Sequence, residues 1–261
     1  GARMPLQGNC DLCMFSGGLG SWAAAKLRLQ EDPARPVVLA FADTLFEDRD
    51  LYRFLLEAAA NVLGVDPPAN LLRLLKKAGD LDLRDPPAWR QLLTDLRHLA
   101  NAYFEGGLCW LADGRDIWQV FEDERFLGNS TVDPCSRVLK RELLDNWRNA
   151  HFAPATTTVV IGYGPEEGAR VAKHAARVAP FRAAYPVHAA AMPGYEIFKW
   201  SEREGLDPPR LYDLGMDHNN CSGGCVKAGV SSFVHLYRVL PEAFQRWRKG
   251  EERIRQFLGR T

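Results

Sequence analysis

Several things are scarce in this chain of 261 residues, and each scarcity excludes something. Charge of one sign is not in excess: 33 Lys and Arg stand against 33 Asp and Glu, so no global field gathers a long polyanion. No dense basic stretch and no recognisable RNA-binding domain argue for nucleic acid, which leaves a tRNA partner open but unfavoured. No apolar run reaches the length that crosses a bilayer, and no charged-then-apolar leader opens the chain. The expectation is a soluble cytoplasmic protein that does not engage membranes. No period of 20–50 residues repeats and no segment is low in complexity. The six histidines form no ligand pair at helical spacing. In a cytosolic protein of this size the six cysteines are not expected to form a disulfide framework. Burial, metal binding and catalysis remain for them.

What is present reads as an α/β protein. Apolar residues make up 46% of the chain, enough for a sizeable core. Strand candidates alternate with helix candidates. Leu12–Phe15 precedes a helical run from Trp22 to Leu29. Val37–Ala42 is closed by Asp43-Thr44 and followed by helical spacing from Asp48 to Leu63, stopped at Gly64. Leu71–Leu75 fits helix or strand alike. Pro86 to Phe126 reads helical throughout. Pro134 is placed to start a helix from Cys135 to Trp147. Thr156–Gly162 is a β-branched strand, Tyr185-Pro186-Val187 closes a short one, and Tyr195–Glu204 is helical up to Gly205. Such alternation predicts a mostly parallel sheet, doubly wound, with helices on both faces. Ligands of such sheets sit beyond the strands' carboxyl ends, where Ser16–Ser21, Asp43-Thr44 and the Gly162 turn all fall. Residues 8–214 are expected to form this domain. Residues 215–261 would add a cysteine-rich loop and a small helical cap begun by Pro241, with Phe244, Trp247, Ile254 and Phe257 on one face.

The most informative stretch is Ser16-Gly17-Gly18-Leu19-Gly20-Ser21, a glycine turn between strand and helix. Glycines bring backbone close to a phosphate, and the unpaired N–H groups of a first helical turn point at it. The alternative is a tight turn with no ligand. Asp43 and Glu47 are candidate carboxylates facing that turn. Lys140, Arg141 and Arg170 are candidate partners for phosphate, or members of a solvated face. Cys135 opens a predicted helix with Arg137, Lys140 and Arg141 behind it; dipole and cations favour its thiolate. Cys221 and Cys225 have three residues between them, in a loop with two glycines. With Cys135 they would make three ligands for zinc, joined by a water or His218, or for a [4Fe–4S] cluster with one open position. Persulfide chemistry on the cysteines alone and a purely structural role stay open. Cys10, Cys13 and Cys109 are expected to pack. Asn219 and Asn220 suit a base edge or a loop cap.

Taken in order, these segments resemble the PP-loop ATP pyrophosphatases, in particular their PAPS-reductase-like branch. Ser16–Ser21 is similar to the SGGxxS pyrophosphate motif. Asp43-Thr44 with Glu47 resembles the second-strand segment. Gly162-Tyr163 with Glu166, Glu167 and Arg170 resembles the later G-(I/Y)-R…E…R segment. Tyr185-Pro186, Leu211-Tyr212, Gly215 and the run His218–Lys227 resemble the carboxyl-terminal region. The resemblance implies an adenine nucleotide alpha hydrolase-like fold and binding of ATP with Mg²⁺ through Ser16, Gly17, Gly18, Leu19, Gly20, Ser21, Asp43, Thr44, Gly162 and Arg170. It implies adenylation of a carbonyl oxygen on a small molecule, a nucleobase or nucleotide, with Asp43, Lys140 and Cys135 in the chemistry. The cysteines favour sulfur as the replacing group, with a sulfur-donor protein and a homo-oligomer as candidate partners. Two departures stand out. Gly20 replaces an aspartate common in the family, and the tail Arg253–Thr261 lacks the cysteine with which sulfonucleotide reductases attack. The other readings are a sulfonucleotide reductase-like enzyme, an ammonia-using ligase and a non-catalytic ATP-sensing subunit.

Overall fold

In chain order the elements are β1 (Cys10–Met14), α1 (Leu19–Glu31), β2 (Val37–Asp43), α2 (Arg49–Leu63), α3 (Ala69–Ala78), α4 (Leu81–Arg84), α5 (Pro86–Tyr103), β3 (Leu108–Ala112) and α6 (Ile117–Glu124). A π-helical turn (Arg137–Glu142) then runs into α7 (Leu143–His151), followed by β4 (Thr157–Val160), α8 (Gly168–Val178), β5 (Arg182–Ala184), α9 (Pro186–Ala189), α10 (Gly194–Arg203), α11 (Arg210–Asp213) and α12 (Pro241–Phe257). The structure is a computed structural model and describes residues 9–125, 137–213, 238 and 240–259.

The strands form one sheet in the order β3-β2-β1-β4-β5, every pair parallel. β1 is central: Leu12 lies opposite Val38 on one side and Val159 on the other. Alternation along the strands sends Cys13, Phe15, Leu39, Phe41 and Trp110 to one face, where they are buried under α1, α2 and α5. Leu12, Val38, Ala40 and Val159 face the other way, onto Trp147, Phe152, Val178 and Phe181 around α7 and α8. Both faces are therefore covered. That is why the strands read as continuous apolar runs. The arrangement is compatible with the doubly wound α/β class.

α12 seats on the flank of this body. Trp247 and Ile254 join Phe46, Trp118, Phe121, Leu139 and Leu211 in one buried cluster. A side chain at Gly250 would begin 2.1 Å from the Trp118 ring, so the helix can lie this close only with glycine there. Phe257, expected on the buried stripe, is 46% exposed instead, with the Arg125 guanidinium over its ring.

Three sequence expectations change and one open reading is settled. Pro86 to Phe126 is not all helix. The chain turns at Gly106, whose φ is +79°, and β3 follows as the sheet's edge strand. A five-residue apolar run carries no periodicity that separates strand from buried helix. The ambiguous run Leu71–Leu75 lies within α3. β4 ends at Val160, two residues early, which frees Ile161 and Gly162 to form the turn. Pro186 does not close a strand; it starts α9 after β5 has ended at Ala184.

Candidate functional site

The glycine loop leaves β1 at the point where the chain order of the sheet reverses, β2 lying to one side and β4 to the other. α1 starts at Leu19, three residues before its apolar spacing becomes visible, so the helix begins inside the motif. Gly17 takes the left-handed φ of +82°, and a Cβ on it would meet Leu51 of α2 at 2.9 Å. Gly18 is the N-cap residue and supplies no side-chain cap, which leaves the first N–H groups to other acceptors. Ser21 braces the loop from within. Its hydroxyl accepts from the Ser16 N–H at 3.1 Å, donates to the Gly18 carbonyl at 3.2 Å, and lies 3.3 Å from the Ser16 hydroxyl. Ser16 is exposed, whereas Ser21 is buried.

Gly20 and Gly162 are packed back to back. A Cβ at Gly162 would sit 2.5 Å from Gly20 backbone atoms and 2.7 Å from the Ser21 nitrogen; one at Gly20 would sit 3.0 Å from the Gly162 carbonyl oxygen. This contact joins the first and fourth βα turns. It also explains the departure at position 20, since an aspartate there would press on that carbonyl.

The second-strand segment is buried more deeply than its sequence suggests. Asp43 is 1% exposed, and its carboxylate is filled. One oxygen accepts from the Leu45 N–H and the Tyr52 hydroxyl, each at 2.8 Å; the other accepts from the Trp110 indole at 3.1 Å. Burial pushes the Asp43 carboxyl up to about 6 against the pull of the Leu45 and Tyr52 donors, and nearby Glu47 adds to the rise. A carboxylate so enclosed makes a poor magnesium ligand, because metal coordination would require breaking these bonds. Thr44 is buried beside it and donates to Glu47 at 3.0 Å. The Lys140 ammonium, from the π-helical turn, stands 3.9 Å from the same Glu47 oxygen. Glu47 and Lys140 thus tie the end of β2 to the wide turn ahead of α7.

On the far side of the loop, Glu167 accepts from the Gly164 N–H at 2.7 Å and pairs with Arg170 at 2.6 Å. Arg170 is exposed and lies over the Tyr163 ring. The His188 ring bonds the Gly164 carbonyl at 2.9 Å. His174, in contact with the Tyr185 hydroxyl at 2.7 Å, is held neutral: burial and neighbouring Arg177 bring its pKa down to about 4.

The structure therefore brings the Ser16–Ser21 loop, Asp43-Thr44, Gly162 and Lys140 to one sheet edge, with Arg170 at its rim. Cys135, Cys221 and Cys225, with His218, Asn219 and Asn220, lie outside the described residues. Among the described residues no group of three or more His, Cys, Asp or Glu side chains is placed to hold a metal ion. Cys10, Cys13 and Cys109 are buried free thiols, each pushed above the ordinary thiol range by desolvation, Cys109 to about 11. They pack, as expected.

Sequence reasoning passed over Arg210 and gave Tyr212 no more than a place in a resembling segment. Arg210 holds Asp48 with two guanidinium nitrogens, Nε at 2.8 Å, and its own N–H donates to Asp50 at 2.8 Å. This clamp fixes α11 against the start of α2 and lays Tyr212 over the loop. The Tyr212 hydroxyl lies close above the loop, where burial raises the phenol pKa and the Leu19 backbone lowers it, and a Cβ on Gly18 would lie 3.2 Å from that oxygen. The Tyr212 hydroxyl thus occupies space above the start of α1. Leu211-Tyr212 carried a resemblance signal, but nothing in the spacing said which group it would touch. A cavity of about 780 Å³ opens beside Leu45 and Phe46, lined further by Trp89, Trp118 and Arg246.

The fold and this edge define an α/β protein with a glycine loop at the carboxyl end of its central strand. No family model matches the chain, and comparison with curated proteins gives no significant match. Among the described residues, no helix is long and apolar enough to cross a membrane.

Proposed function

We propose that this chain is a PP-loop enzyme of the adenine nucleotide alpha hydrolase-like kind. It would adenylate a carbonyl oxygen of a nucleobase or nucleotide, replace that oxygen with sulfur, and release AMP and pyrophosphate. The observation that carries the reading is the glycine loop at the reversal point of a parallel sheet, locked to the fourth βα turn through Gly20 and Gly162. The MgATP substrate would lay its terminal phosphates on the loop and the start of α1, where main-chain N–H groups neutralise the charge that builds on departing pyrophosphate. Lys140 flanks this edge. The sulfur half rests on Cys135, Cys221 and Cys225 as sequence features.

The Tyr212 hydroxyl stands where a phosphate oxygen would approach the loop and the start of α1. Tyr212→Phe removes the competing oxygen and keeps the ring. The expected result is ATP binding tightened about fivefold, the worth of one ordinary hydrogen bond of about 1 kcal/mol. Titration calorimetry of the two proteins measures it; an unchanged affinity removes Tyr212 from the nucleotide site.

The enclosure of Asp43 favours a second reading, nucleotide binding without chemistry, because the carboxylate expected to meet the metal is spent on Tyr52, Trp110 and Leu45. One experiment separates the two. Protein, ATP, magnesium and sulfide are incubated with a panel of nucleobases, nucleosides and nucleotides. Pyrophosphate release is followed, and mass spectrometry looks for exchange of oxygen for sulfur. Release with a thio-product is the expected result. Binding without release for every acceptor selects the second reading. Release without a thio-product removes sulfur from the proposal.

A further inference from the structure

We infer that the groove between α7 and α8 binds a phosphorylated organic molecule of nucleoside monophosphate size. Resting on the enzymatic reading above, this makes the acceptor a nucleotide rather than a free base. The groove is a cavity of about 380 Å³ on the sheet face opposite α1. Its floor is apolar: Met14 at the end of β1, Val159 and Ile161 from β4 and its turn, and Leu144 of α7. Its walls carry six cations, Lys140, Arg141 and Arg148 on one side and Arg170, Lys173 and Arg177 on the other, against the single carboxylate of Asp145.

In a chain of balanced total charge this is a strong local excess. Like charges this close repel one another, and a concave site with an apolar floor screens them less than open water does. Part of the excess is matched within the fold. Asp145 pairs with Arg148 at 3.1 Å and Arg177 at 2.7 Å, Glu167 holds Arg170 at 2.6 Å, and Glu47 lies 3.9 Å from Lys140. Arg141 and Lys173 are left, one on each wall, with no hydrogen bond or ion pair among the described residues. Two unmatched cations facing one cleft suit a phosphate monoester dianion. Arginine offers its planar fork and lysine a point charge. His174 is held neutral there and adds no charge near neutral pH. The apolar floor suits the body of the ligand, and the volume falls within the range of small-molecule pockets. The cleft opens at the carboxyl end of β4, next to the Gly162 turn that touches the glycine loop, so a ligand in it lies beside the proposed site of activation.

The probes are the four common nucleoside 5′-monophosphates, titrated calorimetrically into the full chain. At least one is expected to bind, with affinity that falls as salt rises. The double variant Arg141→Ala/Lys173→Ala should weaken it at least tenfold. Both side chains are exposed, so the variant should fold, and circular dichroism checks that. ATP affinity should be the same in the single variant Lys173→Ala, and a saturating nonhydrolysable ATP analogue should not displace the monophosphate. The inference is overturned if none of the four binds, if the variant binds equally well, if the analogue competes, or if only a longer single-stranded oligonucleotide binds. Monophosphate binding in a protein that never releases pyrophosphate would leave the groove standing and remove the enzymatic reading alone.

Discussion

Replacing Asp43 by alanine is expected to destabilise the protein by about 2–5 kcal/mol near pH 5, and by less at pH 7. The mutation strands the Tyr52 hydroxyl, the Trp110 indole N–H and the Leu45 N–H, and each buried donor left without an acceptor costs about 1–3 kcal/mol. Against this stands the relief of a buried charge. The folded Asp43 carboxyl titrates at about 6, above its ordinary 3.8. Between those values the folded chain binds more proton than the unfolded one, so wild-type stability falls as pH rises from about 4 to about 6 and then levels. The penalty is about 3 kcal/mol once the group is fully ionised. The alanine variant lacks both the acceptors and this penalty. Its stability should stay flat where that of the wild type declines, and the two curves should converge toward neutrality. Urea unfolding of both proteins at half-unit steps from pH 4.5 to 7.5 tests this. Parallel curves across that range would mean that Asp43 is not the buried acid described here.

Gly162→Ala is expected to lower any ATP-dependent pyrophosphate release by about a hundredfold, the scale of a displacement near 1 Å at a reacting centre. The added carbon would begin 2.5 Å from the Gly20 backbone, which has no flexible end to move aside, so the start of α1 must shift. Overpacking of this kind costs about 1–3 kcal/mol in stability. A control separates position from mere glycine loss. Gly64 closes α2 with φ +67° and nothing within 4 Å of its would-be Cβ. Gly64→Ala should cost about 1 kcal/mol through backbone strain and leave nucleotide binding intact. If Gly162→Ala retains full nucleotide affinity and turnover, the back-to-back contact does not shape the site.

The fold's main strands and the glycine loop were readable because each is local. Leu12 to Phe15 is a short buried run ending in glycines, and the double coverage of the sheet follows from alternating strand and helix periods. β3 was missed because Leu108 to Ala112 lacks any period of its own; only the partner β2 makes it a strand. Asp43 was found as a strand-end carboxylate, but its enclosure depends on Tyr52, nine residues on, and on Trp110 across the sheet. No local rule announces that. Gly20 read as a departure from a motif. Its reason lies at Gly162, a contact visible only once β4 stands beside β1. Arg210 and Tyr212 reach the loop through Asp48 and Asp50, more than 150 residues away in sequence.

The six-residue wide turn at Arg137–Glu142 runs directly into α7. A π segment amounts to one residue more than an ordinary coil of the same span holds. Losing a single residue there would let the segment relax to regular winding over the same span, leaving α7 as it is and re-aiming the side chains within the turn, Lys140 among them. Lys140 would then lose its 3.9 Å approach to Glu47, while the Asp145–Arg177 pair between α7 and α8 would persist. The extra residue at that one spot sets where Lys140 is aimed, and no substitution of side chains elsewhere can restore that aim.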